Sequence, residues 1–228
     1  MGTLFVVGTP IGNLEDLTPR AARVLGEVAL VAAEDTRRTR HLLTHLGISK
    51  PMLSLHADAE RGRTEQVFRA LADGDVALCT DAGMPALSDP GAHTVRAARE
   101  AGFKVEVIPG PSAVTAALAL SGFAADRFVF LGFLPRKSSE MTRLFESLAA
   151  ESRSVVAFES PVRLVKALDI IAATLPERVV AVARELTKVH EELRTGSARE
   201  LAEHYRQRPP KGEITLLLEG APKVRRSD

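Results

Sequence analysis

Leu4-Phe5-Val6-Val7-Gly8-Thr9-Pro10-Ile11-Gly12-Asn13 begins as an unbroken apolar run and ends in residues that stop it. A short apolar run bounded by turn residues reads as a buried strand with a loop leaving its carboxyl end. Thr18 then stands before Pro19. A threonine there can cap a helix whose first residue is proline, because the N–H that proline lacks is not needed in the first turn. Ala21, Ala22, Val24 and Leu25 supply the apolar face of that helix. Strand, glycine loop and helix follow in order.

The same unit recurs outward from this start. Val28 to Ala33 reads as a strand ending at Glu34-Asp35-Thr36-Arg37, followed by a helix from Arg38 to Leu46 closed by Gly47. A helix over Arg63 to Ala72 precedes a strand at Val76 to Cys79, which ends in Thr80-Asp81-Ala82-Gly83-Met84-Pro85. Thr94 to Ala101 is helical, and Val105 to Ile108 is a strand ending at Pro109-Gly110-Pro111. Strands alternating with helices predict an α/β fold with a doubly wound, mainly parallel sheet. Ligands of such sheets bind at the carboxyl ends of the strands, where all four distinctive loops lie.

Beyond Leu120 the texture changes. Phe128 to Phe133, Val155 to Phe158, Val179 to Val182 and Ile214 to Leu218 read as strands, and Ser139 to Ala149, Val162 to Ala173 and Ser197 to Gln207 as helices. This predicts two α/β domains, 1–118 and 119–220, with a polar basic tail over 221–228.

With 228 residues, 45% hydrophobic and 26% charged, the chain can bury a substantial core, which excludes a disordered protein. A net charge of +1 makes no electrostatic case for nucleic acid. The balance is −2 up to residue 120 and +3 after it, a surplus carried by Lys223, Arg225 and Arg226. The single Cys79 excludes an internal disulfide and a cysteine metal cluster. His41 and His45 have helical spacing but no third convergent ligand, so no metal site is expected. Residues 107–125 carry no charge, yet Pro109, Gly110 and Pro111 would break a spanning helix. With no signal-peptide or myristoylation pattern at the start, a soluble, cytoplasmic protein is expected, with no membrane partner.

Three loops carry the chemistry. Gly8 to Thr18 has glycines where the backbone must turn sharply, but its spacing is not that of a dinucleotide fingerprint. Asp81-Ala82-Gly83-Met84-Pro85-Ala86-Leu87-Ser88-Asp89-Pro90-Gly91 packs two acids, two glycines and two prolines into eleven positions, a composition for a rigid loop offering amides, carbonyls and carboxylates to a polar ligand. Val107-Ile108-Pro109-Gly110-Pro111-Ser112-Ala113 sets Ser112 near a helix start, where taken alone it reads first as an ordinary helix cap.

Together these loops resemble the tetrapyrrole methylase superfamily, and their wording is that of its ribosomal RNA branch. Pro10 and Asn13 stand where tetrapyrrole enzymes carry a more glycine-rich loop ending in Asp. Glu34-Asp35-Thr36-Arg37, Gly132-Phe133-Leu134-Pro135-Arg136-Lys137, Phe158-Glu159-Ser160-Pro161 with Arg163, and Arg184-Glu185-Leu186-Thr187-Lys188 with His190-Glu191-Glu192 also follow that branch. The resemblance covers about Leu4 to Glu219. It implies two α/β domains with S-adenosylmethionine held in the cleft between them, a homodimer, and 2′-O-methylation of a cytidine ribose in small-subunit (16S) ribosomal RNA, free or in the assembled 30S subunit. It implies donor contacts from Pro10, Asp81, Ala82, Gly83, Met84, Ser88, Ser112, Ala113, Phe158, Glu159, Ala183 and Arg184.

Methyl transfer to a ribose hydroxyl needs alignment of oxygen, methyl carbon and sulfur, and a group that takes the hydroxyl proton. Glu34 and Asp35 after the second strand, or Glu185, Lys188, His190 and Glu191 in the later block, are the candidates. Lys188 qualifies only if its surroundings lower its pKa, and Glu191-Glu192 also reads as a solvated helix start. For RNA phosphates, Arg37, Arg38 and Arg40, with His41, form one cluster and Arg136-Lys137 another. With no Trp and one Tyr, a broad base-stacking platform is not expected, though Phe133 could stack one base. A methyltransferase of this fold acting on a tetrapyrrole or other small acceptor, and a non-catalytic ribosome-assembly factor, are the competing readings.

Overall fold

The computed structural model describes residues 1–56 and 60–221, with Arg61 described by its backbone alone. Most of the basic tail, including Lys223, Arg225 and Arg226, lies outside the described residues. The chain divides into two compact units, Met1–Ser112 and Ala113–Asp228. The division falls six residues before the boundary expected at 118, because the whole of the apolar helix Ala113–Ser121 packs with the second unit.

The first unit alternates β1 (Thr3–Val7), α1 (Pro19–Glu27), β2 (Leu30–Ala33), α2 (Thr36–His45), β3 (Met52–Ser54), α3 (Glu60–Asp73), β4 (Val76–Cys79), α4 (Ala92–Glu100) and β5 (Lys104–Ile108). The strands form one sheet in the order β3-β2-β4-β1-β5, parallel throughout. Every residue of central β4 is buried, as an apolar run in a parallel sheet requires. Because successive side chains point to opposite faces, Ala77 and Cys79 join a core with Val24, Leu25 and Leu43, while Val76 and Leu78 join another with Leu55, Val67 and Leu71. Each such Leu or Val contributes about 1.5–3 kcal/mol through burial. β3 escaped the sequence reading because three residues ending in Ser make no apolar run.

Caps fix where the helices begin. The Thr18 hydroxyl accepts from the Ala21 N–H at 3.1 Å, with Pro19 as first helical residue. The Asp35 carboxylate accepts from the Arg37 N–H at 2.8 Å, starting α2 two residues earlier than its apolar pattern suggests.

The second unit runs α5 (Ala113–Ser121), β6 (Phe128–Phe133), α6 (Ser138–Ser147), β7 (Ser154–Glu159), α7 (Pro161–Thr174), β8 (Val179–Arg184), β9 (Glu192–Ser197), α8 (Ala198–Gln207) and β10 (Ile214–Leu218). Its sheet is mixed, in the order β6-β7-β10-β8-β9, with only β6 and β7 parallel. β10 is buried along its whole length and carries the centre of a core that includes Phe145, Leu164, Leu168 and Tyr205. Glu192 opens strand β9, not a helix: Arg184 pairs across from it and the pairing continues to Val179 opposite Ser197. Its half-polar sequence Glu-Leu-Arg-Thr-Gly-Ser hides it from a hydrophobicity pattern. Arg178 is only 5% exposed. Its guanidinium donates to the carbonyls of Leu148, Ala149, Glu151 and Glu219, tying the α6–β7 turn to the end of β10.

Candidate functional site

The loops after β1, β4 and β5 are knitted at the carboxyl edge of the first sheet. Thr9 and Gly83 exchange two backbone hydrogen bonds, N–H to carbonyl at 2.9 and 3.0 Å. The buried Thr9 hydroxyl donates to the Thr80 carbonyl at 3.2 Å. A Cβ on Gly8 would lie 2.7 Å from the Gly110 backbone and 2.7 Å from Met84 Sδ, so the β1 and β5 loops approach at a distance only glycine permits.

The Asp81–Gly91 loop bends sharply. Gly83 and Gly91 have φ of 83° and 123°, and Ala86 and Ser88 both sit at 68°, a left-handed conformation that costs a side-chain-bearing residue of order 1–3 kcal/mol. Remote groups hold it: the Ala86 N–H donates to the Pro90 carbonyl at 3.1 Å, and Glu60 Oε1 accepts from the N–H groups of Gly91 and Thr94 and from the Thr94 hydroxyl. Glu60 thus caps α4 from the start of α3, and no sequence signal announces a cap 31 residues away.

β2 and β4 are joined by two crossed carboxylate contacts. Glu34 Oε2 accepts from the Asp81 N–H at 3.3 Å, and Asp81 Oδ1 accepts from the Asp35 N–H at 3.0 Å. Burial pushes the Glu34 carboxyl up from its usual value; its hydrogen bond from Asp81 opposes this and the Asp81 charge adds to it. Asp35 is held down to about 2, chiefly by the Arg37 guanidinium, which donates to both its oxygens. An open depression of about 530 Å³ is lined by Glu34, Asp35, Thr36, Arg37, Ser54, His56 and Asp81. Beside it a cavity of about 160 Å³ includes Thr9, Pro10, Arg38, Thr80 and Asp81 in its lining. The structure therefore brings together Pro10, Asp81, Ala82, Gly83 and Met84. Ser88 is exposed further along the same loop, and Ser112 ends the β5 loop that packs on Gly8.

In the second unit, Phe158 lies edge-on to Phe130 and tilted against Phe133. Glu159 is buried: Oε1 accepts from the Ser160 N–H and Arg163 Nε, while Oε2 has no hydrogen-bond partner among the described residues. Ala183 is a buried residue of β8, and Arg184 Nε pairs with Glu192 at 3.1 Å. Ala113 is the first residue of α5.

The β8–β9 connection, 185–191, folds into a tight turn with Glu185 and Thr187 at φ of 51° and 66°. Glu185 Oε1 accepts from Lys188 Nζ at 2.8 Å and from the Glu213 N–H at 2.9 Å, and Lys188 also reaches Glu213 at 3.1 Å. Burial alone pulls the Lys188 ammonium down, but its hydrogen bonds to Glu185 and Glu213 and the charges of those carboxylates together outweigh it, and the net shift is upward. Lys188 thus meets the opposite of the condition a basic lysine requires. Glu185 is lowered, chiefly by Lys188, and Glu191 accepts from the Thr187 N–H at 2.6 Å. His190 is exposed and has no hydrogen bond to another described residue.

The basic candidates divide between the units. Arg37 and Arg38 are paired with Asp35 and Asp81, while Arg40 of α2 is exposed and has no ion-pair partner among the described residues. Past β6, Lys137 pairs with Glu140 and Arg136 is exposed and unpaired among the described residues. Among the described residues no cluster of three or more His, Cys, Asp or Glu is placed to hold a metal, and no helix is long and apolar enough to cross a membrane.

Known proteins share both the fold and the sequence. A solved uroporphyrin-III-C-methyltransferase from Thermus thermophilus superposes with a TM-score of 0.65 at 19% identity, covering 96% of this chain and 94% of that one. A cobalt precorrin-4 methyltransferase superposes at 0.69 with 14% identity over 95% and 94% of the two chains. Much nearer in sequence, a Thermotoga maritima protein named ribosomal RNA small subunit methyltransferase I is 47% identical over 221 residues, spanning 96% of this chain and 99% of its own. An Escherichia coli O157:H7 protein of the same name is 44% identical over 223 residues, 96% and 78% of the two chains. The profile of the tetrapyrrole (corrin/porphyrin) methylases matches residues 3–202, and with these relatives it establishes that the chain belongs to that family.

Proposed function

We propose that the protein is an S-adenosylmethionine-dependent methyltransferase acting on small-subunit ribosomal RNA, with the 2′-hydroxyl of a cytidine ribose as acceptor. The observation that carries this reading is the 47% identity, over nearly the whole of both chains, to a relative named ribosomal RNA small subunit methyltransferase I; the cytidine 2′-hydroxyl as acceptor rests on the wording of the loops. The residues fit such a donor. Thr80 Oγ1 in the first unit and Glu159 Oε2 in the second are buried oxygens without partners among the described residues, and buried polar atoms of this kind call for a ligand or water. The Gly8–Gly110 approach fixes the loops, and the strained Asp81–Gly91 loop presents exposed residues at Ala86, Leu87 and Ser88 where a small polar molecule is met.

When bound, the donor supplies a methyl group activated on a sulfonium. Pro10, Asp81, Ala82, Gly83, Met84 and Ser88 of the first unit would hold it, with Ser112, and Ala113, Phe158, Glu159, Ala183 and Arg184 of the second. The acceptor proton is drawn off by the 184–192 block. Within it Lys188, Glu185 and Glu191 are committed to neighbours, and His190 is the group left to take a proton. Arg40 and Arg136, unpaired among the described residues, suit RNA phosphates. On this reading the protein works in the cytoplasm, as a homodimer, on small-subunit rRNA, free or in the assembled subunit.

The test is to incubate the protein with labelled donor and naked rRNA, unmethylated small subunits or a porphyrinoid, then map the methyl by nuclease digestion and mass spectrometry. Label on a cytidine ribose is expected. Label on a base, on the porphyrinoid alone or on nothing would overturn the reading, and sedimentation of the active species checks the dimer.

A further inference from the structure

A second cavity lies wholly within the second unit. Of about 410 Å³, it is lined by Arg184, His190, Glu192, Arg194, His204, Tyr205, Arg208, Pro209, Pro210 and Lys211. Its charge is lopsided: four permanent cations face one carboxylate. Glu192 is shared by Arg184 and Arg194, while Arg208 and Lys211 have no ion-pair partner among the described residues. Gathering cations in one cavity is unfavourable by itself, since like charges at short range repel.

The cavity is also built. Arg184 donates to the Lys211 carbonyl at 3.3 Å, tying the loop after α8 to the end of β8. Pro209 and Pro210 restrict that loop, so Arg208 and Lys211 are presented with little backbone freedom to lose. In the wall stands Tyr205, 2% exposed, whose hydroxyl is buried and has no hydrogen-bond partner among the described residues. Its ring packs edge-on against His204. Burial raises the phenol to about 12, with the charges of Glu192, Arg194 and Arg184 acting on it as well, and Tyr205 lines the same cavity as these groups. A neutral O–H donor beside forked guanidinium donors answers to an anion with several acceptor oxygens.

We propose that the cavity formed by Arg194, Arg208, Lys211, His190 and Tyr205, with Arg184 bracing its wall, is a phosphate-binding site that takes a backbone phosphate of the RNA substrate. The proposal rests on the rRNA reading and deepens it. A ribose 2′-hydroxyl is vicinal to the 3′-phosphate, so a phosphate held here brings an acceptor hydroxyl to the side of His190, which lines the same cavity. The contact fixes register without reading a base.

The test uses the full-length protein carrying R208Q with K211Q, and separately Y205F. Neither exposed residue is among the donor contacts, so S-adenosylmethionine affinity by calorimetry and the melting temperature should stay at wild-type values. Binding to small-subunit rRNA should weaken, and the slope of log affinity against log salt should fall by about 1 for each cation removed. Y205F should weaken RNA binding without changing the slope. Tyr205 is the chain's single tyrosine and there is no tryptophan, so intrinsic emission reports this cavity alone. Titration with inorganic phosphate should change that emission saturably in the wild type and not in the double variant. Silent emission, or double-variant RNA binding equal to wild type in affinity and slope, would overturn the proposal while leaving the methyltransferase reading intact. A wild-type protein that neither bound nor methylated rRNA would overturn both.

Discussion

Gly8 and Gly110 touch backbone to backbone: a Cβ on Gly110 would stand 2.8 Å from the carbonyl carbon and Cα of Gly8. Neither glycine has a positive φ, so the requirement is steric, not conformational. The contact welds the β1 and β5 loops. Gly110→Ala should therefore cost about 1–3 kcal/mol, as overpacking does when backbone must move. Donor affinity should fall with it. Urea unfolding and calorimetric titration of S-adenosylmethionine check this, and a variant binding the donor like wild type would separate the contact from the site.

Glu60 acts on the donor loop from a distance. Glu60→Ala leaves three donors at the start of α4 without their acceptor, at about 1–3 kcal/mol for each buried one. Glu60→Gln keeps an acceptor oxygen and should recover most of the loss. The expected signature is a raised dissociation constant for S-adenosylmethionine in the Ala variant and a near-normal one in the Gln variant. Equal constants in both would detach this cap from donor binding.

Glu34 gives a pH dependence whose sign follows from its environment. Its carboxyl is raised above the ordinary 4.5, so its neutral form is favoured by folding. That contribution is fully present below the unfolded value and is lost as pH rises through the folded one. Glu34→Gln, which keeps an acceptor for the Asp81 N–H, should stabilise the protein relative to wild type near pH 7.5 and much less near pH 3.5. Denaturation midpoints at the two pH values decide it; an advantage larger at low pH would contradict the assignment.

The β8–β9 turn separates a proton acceptor from its scaffold. His190→Ala should slow single-turnover methyl transfer by about 10²-fold or more, the usual contribution of a general base. Lys188→Arg, which keeps a cation between Glu185 and Glu213, should stay within a few-fold of wild type. Unchanged rates in His190→Ala would remove the imidazole from the chemistry.

Cys79 should be chemically silent while the fold is intact. It is 1% exposed, and burial pushes its thiol up to about 12, so the reactive thiolate is scarce at pH 8. Alkylation of the native protein should be negligible and become complete in denaturant. Rapid native labelling would mean that β4 opens far more readily than its burial implies.

Much of the first unit was legible from the chain. The apolar runs at Leu4–Val7 and Val76–Cys79 read as strands because both faces of a parallel strand are covered, and the Gly, Pro and Asp clusters after them read as loops for want of any helical or strand role. The family's wording extended this to a donor and an acceptor. Lys188 and Asp35 illustrate the limit: each is a plausible base by residue type, and only neighbours remote in sequence or set by a turn show one ammonium held charged and one carboxylate held near 2.

Local pattern thus determined the alternation of elements and the loops that carry chemistry, since hydrophobic period, caps and turn residues act over a few positions. Tertiary structure decided the rest. It brought Glu60 to Gly91, Glu34 to Asp81 and Gly8 to Gly110, and it gathered Arg184, Arg194, Tyr205, Arg208 and Lys211 around one cavity. Those relationships arise from strand order and helix packing, which set distances between residues tens of positions apart and leave no periodic trace in the chain.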